Sequence, residues 1–288
     1  MQTYLECMTC FVRQTLDAAR HVTDDEKAQE EVLRAALKEL SEIDMSAPPP
    51  VMAQHIHRFI RSRFDLPDPY RTEKKLSNNR ALQLMPQLIE KVKNSDVRLE
   101  TAVRLAIAGN IIDLGVKSQV HEEDINGAVE HALNTKFDGD VQALENALAE
   151  ADSILYLADN AGEIVFDRLL LEQLPREKLT VAVKGSPIIN DALREDAEQA
   201  GITQAFRVID NGSDAPGTAL AACSPEFLEE YEKADLIISK GQGNYETLSH
   251  ENKNIFFLLK VKCPVISRDV GREIGALVLT RAEGKPVG

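Results

Sequence analysis

The chain has no tryptophan, only 4 cysteines in 288 residues, fewer basic than acidic side chains and no long apolar run. The missing tryptophan excludes nothing. The scarcity of cysteine excludes a disulfide-built scaffold, so Cys7, Cys10, Cys223 and Cys263 are expected to be thiols or metal ligands in a reducing compartment. Apolar segments such as Ile255–Leu259 have strand length, far short of the roughly 20 residues of a membrane helix, so no membrane partner is expected. The N-terminal MQTYLECMTC lacks a basic stretch followed by an apolar one. It does not read as a signal peptide, and a cytoplasmic protein is expected. Lys and Arg total 33 against 47 Asp and Glu, for a net charge of −14. Such a surface repels nucleic-acid phosphates, so no nucleic-acid partner is expected. A local site with a metal and a lysine or two can still meet a small phosphorylated ligand.

What is present divides at about residue 151. The stretch 1–150 reads as all helical. Leu5, Met8, Phe11, Val12 and Leu16 recur at helical spacing, and Thr23-Asp24-Asp25-Glu26 signals the start of a second helix to Leu40. Pro48-Pro49-Pro50 precedes a third, over 51–63, and a fourth runs over 72–92 with a kink expected at Pro86. Further helices are expected over 97–108, near 122–133 and over 139–150. The stretch 151–288 alternates short β-rich runs with helical ones. SILYL at 153–157, LTVAV at 179–183, FRVI at 206–209, LIIS at 236–239 and PVIS at 264–267 read as buried strands. Helices are expected between them over 163–173, 191–200 and 225–233. The fold class is therefore α/β: an N-terminal helical region, then a mostly parallel sheet flanked by helices. The boundary need not separate two bodies, since the helices can pack onto the sheet.

In an open parallel sheet, ligands sit at the carboxyl ends of strands. After SILYL comes Asp159-Asn160-Ala161-Gly162-Glu163, an oxygen-rich turn opening a helix. Such oxygens suit Mg²⁺ or Mn²⁺, and Asp159 and Asn160 are equally at home in an ordinary capped βα turn. After LTVAV, Asp191 again sits between strand and helix, as a metal ligand or as a simple N-cap. After LIIS, Lys240-Gly241-Gln242-Gly243-Asn244 has the logic of a phosphate cradle without the P-loop spacing. The loop 210–218 either lines a pocket or is only a flexible turn. Asp68-Pro69-Tyr70 with Lys74 and Asn78, and Gly109-Asn110-Ile111-Ile112-Asp113, favour turn and capping chemistry. Cys7 and Cys10 form a CxxC pair that shares a helix face, with no second pair to complete a zinc site. They read as two thiols, with an accessory metal or redox role as the alternative.

The motifs CMTC at the N-terminus, DPYRTEKKLSN at 68–78, GNIID at 109–113, DNAGE at 159–163, KGSPIINDA at 184–192, KGQGNYETL at 240–248 and FFLLKVKCPVIS at 256–267 follow one another in order. Together they resemble the damage-control phosphatase family, metal-dependent phosphatases first known as a domain of unknown function. The CxxC pair looks like the subgroup common in archaea and bacteria. The resemblance implies a divalent metal (Mn²⁺, Mg²⁺, Ni²⁺ or Co²⁺) on Asp159, Asn160 and Asp191, with Asp159 and Asp191 catalytic. It implies that the substrate phosphate meets Lys240, Gly241 and Asn244, with Asn110 and Glu163 nearby. It also implies hydrolysis of small phosphomonoesters such as sugar phosphates, damaged nucleotides or cofactor intermediates. Whether Asp159 attacks phosphorus or acts on a water stays open. The competing reading is a metal-dependent carrier or sensor of a phosphorylated metabolite that turns nothing over. The concentration of several acids and a lysine at one sheet edge favours the enzyme.

Overall fold

The structure, a computed structural model, describes residues 1–109, 129–130 and 133–281. Asn110 and most of the helix expected near 122–133 lie outside the described residues.

Three helices lead: α1 (Leu5–Val22), α2 (Glu26–Ser41) and α3 (Pro49–Phe64). Their apolar stripes meet in one cluster that includes Phe11, Ala19, Val32, Leu40, Ile56 and Ile60. The Asp25 carboxylate accepts from the Lys27 backbone N–H at 3.0 Å and caps α2. Helix α4 (Arg71–Lys93) continues through Pro86, and α5 (Arg98–Ala108) follows.

Among the described residues the sheet has seven strands: β1 (Phe137–Gly139), β2 (Ile154–Leu157), β3 (Leu179–Val183), β4 (Arg207–Asp210), β5 (Leu236–Lys240), β6 (Ile255–Lys260) and β7 (Leu277–Arg281). Their spatial order is β1-β7-β6-β5-β2-β3-β4, and only the β6–β7 pair is antiparallel. The connecting helices are α6 (Val141–Glu150), α7 (Glu163–Leu171), α8 (Arg194–Gln199), α9 (Pro225–Lys233), α10 (Gly241–Leu248) and α11 (Pro264–Val270). Alternation along β2 splits the core into two layers. Ile154 and Tyr156 join α4, α5 and α7 through Leu84, Leu105 and Phe166. Leu155 and Leu157 join the opposite layer with Phe227, Leu248 and Ile266. Both faces are covered, which is why the central strands read as unbroken apolar runs.

Three expectations need correction. PVIS is not a strand but the start of α11, with Pro264 in the first turn, where a missing N–H costs nothing. The neighbouring strand is β6, paired on both sides. The stretch 1–150 is not all helical, because Phe137–Gly139 pairs in parallel with β7. Its helices α4 and α5 share a core with the sheet. The helix expected from Asp191 begins only at Arg194.

From β2 the chain steps outward to β3 and β4, then returns to the other side of β2 for β5 and β6. The carboxyl ends of β2 and β5 thus flank the point where strand order reverses, the standard place for a crevice in such sheets.

Candidate functional site

Four strand-end segments meet at this crevice. After β2 the backbone does not simply turn into a helix. Ala192 N–H donates to Asp159 O and Ala161 N–H to Asn190 O, each at 2.8 Å, so Asn160 and Asp191 form an antiparallel bridge. That bridge brings the DNAGE turn against the KGSPIINDA loop and sets Asp159 and Asp191 side by side. Asp191 is therefore not a helix cap. The N-cap of α8 is Leu193, whose N–H donates to Asp196 Oδ2 in the first turn at 2.8 Å. Gly162 turns the chain into α7 with φ +78°, a left-handed conformation that glycine adopts without strain. Its N–H donates to Asn78 Oδ1 at 2.6 Å. Asn78 in turn donates to Asp196 Oδ1 at 2.8 Å. Asn160 Nδ2 donates to Asp159 Oδ2 at 2.6 Å and to Glu163 Oε2 at 3.0 Å.

The electrostatics of this corner are unbalanced. Asp159, Glu163, Asp167 and Asp191 are all buried, and of the buried lysines near them Lys240 and Lys184 pair directly with this group while Lys74 is shared with Asp68 and Asp196. Burial, then the charges of Glu163 and Asp191, push the Asp159 carboxyl far above its ordinary range, and Lys262 and Lys184 offset this only in part. Burial likewise raises Asp191, against the pull of Lys184, whose Nζ lies 3.4 Å from Asp191 Oδ2. A carboxylate pair buried with too little positive charge is the setting a cation completes. Asp159, Asn160 and Asp191 offer the oxygen donors that hard divalent ions prefer. Among the described residues no three His, Cys, Asp or Glu side chains are gathered into a ready-made cage, so the candidate set is two Asp and one Asn.

Lys240 does not stand open to a phosphate. It is fully buried, and its Nζ donates to Ala106 O at 2.9 Å, to Glu163 Oε1 at 2.7 Å and to Asp167 Oδ1. Those two carboxylates outweigh the effect of burial and keep the ammonium charged. Asn244 is also occupied: it donates to Lys240 O at 2.7 Å and accepts from Thr218 Oγ1 at 2.7 Å. Gly241 approaches Asp159 so closely that a Cβ there would lie 1.9 Å from Asp159 Oδ2, at φ +80°. Glu163 falls within the cluster. Cys7 and Cys10 lie apart from it, lining a neighbouring cavity with Cys263, and none of the cysteines is in a disulfide.

Sequence reasoning passed over several participants. Lys184 had a signal, since Lys-Gly ends both β3 and β5. Asp167 stands one turn after Glu163 on the same face of α7. Arg58 and Arg61 had none: from α3 they reach Asp214 in the loop 210–218. Gln54 joins them at 2.6 Å, and Arg61 also donates to Pro187 O at 2.7 Å. Helix α3 is thereby clamped over two strand-end loops. Burial works to raise Asp214, but hydrogen bonds from Arg58 and Gln54 prevail and hold it at about 2. The folded value lies below the unfolded one, so this stabilisation is complete above pH ~4 and is lost as pH falls toward 2. Acid unfolding should show a component of about 1 kcal/mol, after solvent screening, that disappears in Asp214→Asn.

A family profile described as "Damage-control phosphatase ARMT1-like domain" matches residues 3–278. An uncharacterized protein of Methanocaldococcus jannaschii is 38% identical, over 96% of this chain and 94% of its own length. A damage-control phosphatase of Pyrococcus horikoshii is 36% identical, over 99% of this chain and 100% of its own. One from Archaeoglobus fulgidus is 36% identical, over 94% of this chain and 96% of its own. The crystal structure of a DUF89 family protein from Pyrococcus horikoshii superposes with a TM-score of 0.89 at 36% identity, covering 98% of this chain and 100% of that one. The strand-end site thus sits in a chain matched along nearly its whole length, and the chain belongs to the ARMT1-like damage-control phosphatase family.

Proposed function

We propose that this chain is a metal-dependent phosphatase acting on small phosphomonoesters, with Asp159, Asn160 and Asp191 as its metal-holding residues. The observation that carries the reading is the buried excess of carboxylates at the strand-order reversal, in a chain whose relatives include two named damage-control phosphatases. When bound, a divalent ion supplies the positive charge that offsets the phosphate oxygens. The other roles fall to the chain. Asp159 acts at phosphorus, as nucleophile or as base toward water. Lys184, 3.4 Å from Asp191 and donating to Gly217 O, adds a buried cation at the end of β3. Lys240 fixes Glu163 and Asp167 behind the site, and Glu163 in turn holds Asn160. Gly241 admits Asp159 against the start of α10.

Release of inorganic phosphate over many turnovers tests the proposal. The panel comprises sugar phosphates, nucleotides and cofactor intermediates, each with Mn²⁺, Mg²⁺, Ni²⁺ or Co²⁺. Sustained release is expected for part of the panel. Tight binding of phosphomonoesters with no release would make the protein a carrier instead.

A further inference from the structure

A cavity of about 520 Å³ adjoins the candidate site, and none of the chemistry above uses it. It is roofed by α1 and α3 and floored by the first turn of α10. Three of its walls are shared with the site. Gln242 and Gly243 directly follow the Gly241 that abuts Asp159. Ile189 lies in the loop that carries Asp191. Pro216 precedes Gly217, whose carbonyl accepts from Lys184 Nζ. Asp159, Asn160 and Asp191 do not themselves line the cavity, but through these neighbours it is the space next to an ester whose phosphate lies at Asp159 and Asp191.

The lining says what that alcohol is. Phe11, Pro49, Pro50, Ala53 and Val265 present apolar surface. The acids in the wall are engaged: Glu6 with Arg268 at 2.8 Å, and Glu246 with Gln242 Nε2 at 2.9 Å. Gln242 Oε1 is buried with no hydrogen-bond partner among the described residues. Arg13, also in the lining, makes no ion pair among the described residues. The volume lies in the range of pockets for organic ligands well above the size of one sugar ring. A monosaccharide would set its hydroxyls against proline and phenylalanine, losing water hydrogen bonds without replacement. We infer that the cavity is the leaving-group subsite. It selects phosphomonoesters whose alcohol is bulkier and more apolar than a monosaccharide, with an N–H or O–H for Gln242 and an acceptor or anion for Arg13.

The inference rests on the phosphatase reading, and one experiment separates the two. The kcat/KM for 2-(1-naphthyl)ethyl phosphate, an alkyl ester with a leaving alcohol of similar basicity, is compared with that for glucose 6-phosphate, in the wild type and in two variants that fill the cavity, Thr9→Trp and Ala53→Phe. Thr9 is exposed on α1, so its replacement spares the fold even if the Ala53 variant does not. In the wild type the ratio should favour the naphthylethyl ester by at least about tenfold, a difference of ~1.4 kcal/mol. It should fall at least about tenfold in the folded variants. A wild-type ratio near one, or a ratio the variants leave within about twofold, overturns the subsite while phosphate release upholds the phosphatase. If the wild type releases phosphate from no ester with any of the four metals, both readings fall.

Discussion

Asp159→Ala should lower kcat for phosphomonoester hydrolysis by about 10³-fold or more while leaving the protein folded. Transition-state charge offset at such a site is worth several kcal/mol, and each 1.36 kcal/mol is tenfold in rate. The stability side follows from the surroundings. Asp159 is buried beside Glu163 and Asp191, and burial and those charges already oppose its ionised form. Its removal relieves repulsion. Asn160 Nδ2 loses one acceptor but keeps Glu163 Oε2. The melting temperature should therefore stay within a few degrees of the wild type or rise. Steady-state kinetics in Mn²⁺ alongside a thermal melt checks both halves. More than a tenth of wild-type turnover in the variant would remove Asp159 from the chemistry.

Lys240→Met should have the largest effect on stability. The substitution keeps the bulk of the side chain but leaves Glu163 and Asp167 buried without their shared ammonium. Breaking a buried pair from one side costs about 3–5 kcal/mol. Adding Asp167→Asn should recover part of that loss, because one of the two uncompensated charges is then gone. Urea denaturation of the single and double variants measures it. A Lys240 whose task is to meet substrate phosphate would behave differently: stability near wild type, KM raised, and no rescue by Asp167→Asn.

These two residues also mark how far the sequence reaches. Asp159 was legible because a strand end delivers it to a Gly-containing turn, and chain order alone places it there. The pairing of Asp191 with Asn160 followed in outline, since β2 and β3 are successive parallel strands. Lys240 was located correctly on its strand end and its partners were missed. Nothing in the spacing says that a side chain at the end of β5 will turn inward to α7. Asp167 is visible only once α7 is laid across β5. Arg58 and Arg61 lie more than 150 residues before Asp214, and their contact depends on how α3 docks. The fold shows the same division. Central strands declare themselves by unbroken apolar runs, whereas β1 has three residues and too short a period to register. PVIS carried β-branched residues, and only the missing N–H of Pro264 argued for a helix start.

Calorimetric titration of Mn²⁺ into chelator-stripped protein tests the metal assignment most directly, because it reads the site without reference to any substrate. The wild type should bind one equivalent, and Asp159→Asn and Asp191→Asn should each bind at least about 100-fold more weakly, a loss of ~2.7 kcal/mol. Undiminished affinity in both variants, or no binding by the wild type, would contradict a metal held by Asp159, Asn160 and Asp191.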